Sequence, residues 1–229
     1  MGRLLLVAAL SSAVPVGGQQ ISSPYEFVER SQVIGPKVAY MVTSRGLLDL
    51  GPHSAPGFGV AYSLRLGGPF NLDAGFLVVP TRRTVMDTVP GDSAVLVDDP
   101  LAGVHPLGEH DLGVGLLTAG LRFDVTGPRT FHRVQPYVLF GGGLKFRLWE
   151  QGIEDVHLIA ANRFEFGRGF LGQIGGGLEW FLTDALTLRL DARDTFWKLN
   201  VPLAFQRYDV PEDEWVQNLE ASLGIGLRF

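Results

Sequence analysis

Residues able to do chemistry are few in this chain, and they are scattered. His105, Glu109, His110 and Asp111 stand close together, shortly after the acidic pair Asp98-Asp99. Histidine and carboxylate suit zinc, and the same residue types serve acid–base catalysis. His53-Ser54 is a second combination, with the residue types of a hydroxyl nucleophile and its base. The glycine triplets 141–143 and 175–177 resemble phosphate-cradling loops. Each chemical reading lacks its context. No helix and no Gly-Lys-Ser/Thr ending follows either triplet, so strand glycines are the better account. The 98–111 stretch reads as a solvated acidic loop, and no motif organises His53 and Ser54. The sequence therefore assigns no catalytic residue, no cofactor and no metal site.

Composition narrows the class. The chain has 229 residues, a net charge of −5 and no cysteine, so disulfides, lipoprotein anchors and cysteine metal sites are excluded. Mild acidity argues against a nucleic-acid partner, which requires a concentrated basic face. Arg3 followed by the apolar run 4–10 and then small residues with Pro15 reads as a signal peptide over 1–18. No run of apolar residues is long enough for a membrane helix, yet mean hydropathy is positive at +0.18. An exported apolar chain without helical spans points to a closed barrel, which satisfies every backbone group in lipid.

Period-2 alternation supplies the elements that would position any site. It predicts eight strands at 37–45, 58–66, 71–80, 111–123, 134–148, 170–181, 186–197 and 219–229. The connections alternate, short after the second, fourth and sixth strands and long at 46–57, 81–110, 149–169 and 198–215. Short turns at one end and long loops at the other are the rhythm of a membrane barrel.

Charge fixes the phase of each strand, because a lipid-facing Arg or Lys near the midplane costs roughly 2–4 kcal/mol. The resulting register turns Arg65, Asp73, Arg122, Lys145, Arg147, Glu179, Arg189, Asp191, Arg193, Glu220 and Arg228 into the lumen. Asp194 breaks the pattern near the outer rim. Opposite charges inside so narrow a barrel should pair. A Gly-Leu-charged-aromatic pattern recurs at 120–123 and 226–229, and in altered form at 177–180. It sets Phe123, Trp180 and Phe229 in an aromatic girdle at the periplasmic end.

The signal segment, eight amphipathic strands, alternating loops and terminal Phe229 resemble the OmpA/OmpW-like outer-membrane β-barrel superfamily over residues 33–229. The resemblance implies an all-β, eight-stranded antiparallel barrel over 34–229, preceded by a periplasmic segment at 19–33. It implies insertion into outer-membrane lipid by the barrel assembly machinery, with Phe229 closing the sorting strand. No peptidoglycan-binding domain of the OmpA type follows. Outer-membrane aspartyl proteases also carry acidic and Asp–His pairs at a barrel rim, but they have ten strands. The resulting expectation is a non-enzymatic structural or surface-interacting barrel with a charge-filled lumen. The alternative is a narrow path for small solutes or small hydrophobic molecules.

Overall fold

In the computed structural model, residues 23–28, 31–88, 104–151, 158, 163–206 and 211–229 are described. The proposed signal peptide at 1–18 and the pair Asp98-Asp99 lie outside them. The elements are β1 (Tyr25–Phe27), β2 (Gln32–Thr43), β3 (Ala55–Gly67), β4 (Phe70–Thr88), β5 (Val104–Asp124), β6 (Arg129–Phe131), β7 (Val134–Gln151), β8 (Gly169–Phe181), β9 (Leu186–Asn200), a short helix α1 (Leu203–Gln206) and β10 (Asp213–Arg228).

Eight of the strands close on themselves. The hydrogen-bonded order β7-β5-β4-β3-β2-β10-β9-β8 returns to β7 through a β7–β8 ladder, and every pairing is antiparallel. All eight predicted strands are present. The side chains alternate as the sequence requires. Val38, Phe58, Phe140, Ile174, Leu190 and Leu223 are exposed on the outside, while Asp73, Arg122, Glu179 and Asp191 are buried within. A water-soluble barrel would reverse this arrangement, so the wall is built to meet lipid.

One end of the barrel carries turns. Gly67 and Gly68, at φ 146° and 55°, make the β3–β4 turn, and 182–185 joins β8 to β9. The other end carries the long connections. These are the turn end and the loop end.

Three features depart from the predicted strands. The β4–β5 hairpin continues well past residue 80 toward the loop end, pairing Arg82 with Asp111 and Asp87 with His105. Much of the predicted 81–110 loop is therefore ladder. A bulge in β7 sets Val114 opposite Arg147 and Gly113 opposite Trp149, leaving Leu148 as the extra residue. The turn after β5 holds β6, which pairs with β1 from the segment preceding the barrel. The first barrel strand also begins at Gln32, inside the predicted 19–33 segment.

Aromatic rings cover glycines on the outer face. Gly115 lies directly opposite Phe146, Gly113 opposite Trp149 and Gly172 opposite Phe196. A Cβ at any of these glycines would fall 2.3–2.6 Å from the partner ring. Each ring thus lies flat over bare backbone, which shields the ladder and holds the register.

Candidate functional site in the barrel interior

The interior has two storeys. The turn-end storey is ionic. Arg122 reaches Glu179 at 2.6 Å and Asp124 at 2.7 Å, and Asn71 donates to the second oxygen of Asp124 at 2.7 Å. Arg65 approaches that same carboxylate at 4.0 Å. One level higher, Arg189 binds Asp73 at 2.7 Å and Asp191 at 3.0 Å, and Arg193 stands 3.3 Å from each. The Tyr137 hydroxyl donates to Asp191, and the guanidinium groups of Arg122 and Arg189 lie over its ring at 3.9 and 5.0 Å. Gly177 makes room for that phenol, since a Cβ there would sit 2.5 Å from its oxygen. Lys37 and Glu220 form a further buried pair at 2.7 Å. Burying a charge without a partner is costly, so pairing at each level is what permits so many ions in a buried interior.

The loop-end storey is apolar. Inward residues such as Met41, Leu77, Leu116 and Trp197 meet Leu48 and Leu50 from the first long connection, Phe164 and Phe166 from the third, and Val201 and Phe205 from the fourth. The Phe166 ring meets Trp197 edge-on at 6.4 Å. Lys145 marks the boundary between storeys. Its Nζ lies 4.2 Å from the Phe166 ring and donates to the Gly167 carbonyl at 3.3 Å.

The predicted lumen charges therefore fall into groups. Asp73, Arg122, Glu179, Arg189, Asp191, Arg193 and Glu220 join buried pairs, and half-buried Arg65 borders them. Arg228 is buried at the turn end, over the Phe181 ring at 4.7 Å. Lys145 contacts an aromatic ring and a carbonyl. Arg147 differs. It starts inward, but the adjacent bulge lifts it to the mouth, where its side chain is 43% exposed and pairs with Glu150. The charge-filled lumen expected from the sequence matches the turn-end storey, and the loop-end storey adds apolar filling above it. Asp194 stays on the outer face without a bulge, accepting from Gln217 at 3.3 Å.

Sequence reasoning missed Asp124 and Lys37 as ion partners and all of the apolar filling. A signal existed for the strand part of that filling. Alternation lapses in Phe76-Leu77-Val78-Val79 and Phe196-Trp197, as it does where a strand is apolar on both faces.

The loop-end rim holds the other polar group. His53, Arg82, Glu109 and Asp111 border an open cleft of about 510 Å³ together with Trp149. Arg82 stands 3.2 Å from Asp111 and 3.5 Å from Glu109, all three largely exposed. The candidate chemistry of this stretch does not assemble. Alternation along β5 sends Glu109 outward and buries His110, while His105 pairs with Asp87 farther along the hairpin. His53 turns its ring to Thr84 at 3.1 Å, and Ser54 accepts from the Thr43 amide, so the two do not form a nucleophile–base pair. Among the described residues, no three acidic or histidine side chains converge as metal ligands would.

Phe123, Trp180 and Phe229 all lie exposed on the outer face at the turn end. An outward apolar band, a filled interior and turns at one end define the class: an eight-stranded membrane-spanning β-barrel.

No family model and no curated protein matches the chain. Among solved structures, it is similar to Neisserial surface protein A, with 14% identity and a TM-score of 0.53 over 86% of this chain and 97% of that one. It also matches OprG from Pseudomonas aeruginosa at 14% identity and TM-score 0.49, over 87% and 96% of the two chains. A third match is Ail of Yersinia pestis with a heparin analogue, at 18% identity and TM-score 0.42, over 87% and 97%. At these identities the likeness is one of fold alone, and it is carried by the match to Neisserial surface protein A.

Proposed function

We propose that this chain is a non-enzymatic outer-membrane barrel with a structural or surface-interacting role, and that its interior is a closed support rather than a conduit. The observation that carries this reading is the filling of the interior. Two cavities that described residues border beside the ionic storey measure about 20 Å³ each, close to the space of a single water. In this arrangement the turn end faces the periplasm, the β4–β5 hairpin and the rim cleft face outward, and the partner at the rim is unassigned. Assembly runs through the barrel assembly machinery, with Phe229 closing the last strand.

Planar-bilayer conductance of the refolded protein tests this. Silence is the expected result. Steady ion-selective openings that disappear in Arg189→Ala or Arg193→Ala would overturn the closed reading.

A second reading, passage of small hydrophobic molecules, draws support from the apolar storey, because part of its filling comes from connections rather than strands. Uptake of an apolar fluorescent probe by vesicles carrying the protein, enhanced in Phe164→Ala, would favour it. Equal uptake by empty vesicles would dismiss it.

A further inference from the structure

The short β1–β6 sheet lies beneath the turn end, and ladder register fixes which way it faces. In an antiparallel ladder, directly opposed residues share a face. Val134 is opposed to Trp180, an exposed residue of the lipid-facing wall, and Phe131 is opposed to Val134. Tyr25 is opposed to Phe131 and Phe27 to Arg129. Tyr25, Phe27 and Phe131 therefore continue the outer face of the barrel below its last turn, while Glu26 and Thr130 take the opposite face. The two-residue turn 132–133 locks this geometry, with both residues at positive φ as that hairpin requires.

The exposed face has a specific chemistry. Tyr25 and Phe131 contact at 5.4 Å, and the Arg129 guanidinium lies 4.4 Å over the Phe27 ring. Arg133 turns instead toward Glu26 on the opposite face, at 3.9 Å. Aromatic rings on an apolar face are at their most favourable in the interfacial layer of a membrane. Arginine stacked on such a ring still presents free N–H donors to phosphate.

We propose that the β1–β6 sheet is a flap that docks onto the phospholipid headgroup layer of the leaflet at the turn end, with its aromatic face inserted and Arg129 set against lipid phosphate. Two observations commit the surface to lipid: it is continuous with the apolar band, and the exposed Arg129 stacked on Phe27 offers a cation to anionic headgroups. The segment before the barrel is thus an interfacial element rather than a free lead-in. The inference rests on the membrane-spanning reading above.

The absence of cysteine allows a direct test with single-cysteine nitroxide labels. The refolded protein is placed in vesicles of phosphatidylethanolamine with a minority of phosphatidylglycerol. Phe27→Cys probes the proposed inserted face, Glu26→Cys the opposite face, and Val38→Cys the wall. Tyr25→Cys repeats the first probe should Phe27→Cys assemble poorly. The expected result is a label at 27 that is several-fold less accessible than the label at 26 to a water-soluble nickel relaxant, while remaining open to oxygen. Labels at 26 and 27 that are equally open to nickel would overturn the flap, as would a label at 27 shielded from both relaxants, which would mean a protein partner. An aqueous label at 38 would instead remove the membrane barrel itself, and the flap with it.

Discussion

Asp191 shows how an interior side chain is held. It accepts from Tyr137 and faces both Arg189 and Arg193, so removing its charge leaves two guanidinium groups sharing Asp73. Breaking a buried pair from one side costs about 3–5 kcal/mol. Asp191→Asn is expected to lose stability on that scale, read as a fall in the urea midpoint of the refolded barrel in lipid. Arg147→Ala is the contrasting case. Its own side chain is 43% exposed, and Glu150 keeps the buried Arg83 as a partner at 2.5 Å, so a loss of only about 0–1 kcal/mol is expected. Equal losses in the two variants would mean that the ionic storey is hydrated. Gly177→Ala acts through geometry, because the added Cβ would fall 2.2 Å from the Leu190 carbonyl and 2.5 Å from the Tyr137 hydroxyl; the expected loss of stability, read in the same urea titration, should persist in Tyr137→Phe, which leaves the backbone clash in place.

At the scale of elements, alternation carried the reading a long way and then failed for a physical reason. Between lipid and a packed lumen, each strand has one environment per face, so period 2 is enforced and charges reveal the phase. Past the loop-end edge of the bilayer that constraint lifts. Thr81-Arg82-Arg83-Thr84 reads as a polar connection, yet Arg83 is buried within the hairpin and Arg82 is in water. The plug residues Phe164, Phe166 and Phe205 were illegible for another reason: they sit in connections, where no period relates a side chain to a face. The ring-over-glycine pairs are a further element-level device. Cross-strand pairs of this kind contribute roughly 0.2–1 kcal/mol. A double-mutant cycle between Phe196→Ala and Gly172→Ala should return a coupling of about that size, and strict additivity would mean that the ring does not shield the glycine. For the final strand, deleting Phe229 should lower yield in the outer membrane far more than Trp149→Ala at the opposite rim; equal yields would remove its role in assembly.

For the whole molecule, the closed ladder and the filled interior predict a barrel that migrates differently on a gel before and after heating, and that proteases cut in the long connections and not in the wall. A purified chain that stays soluble and monomeric without detergent would contradict the fold's orientation toward lipid. The filled interior also bears on the envelope that carries it. A hollow barrel adds a leak with each molecule inserted, so a cell must ration its copies against the integrity of its permeability barrier. Here, salt-bridged side chains occupy one storey and aromatic residues the other, and voids of about 20 Å³ lie beside the ions among the described residues. On the closed reading proposed above, insertion adds surface loops without adding flux, and abundance is freed from the demands of osmotic tightness.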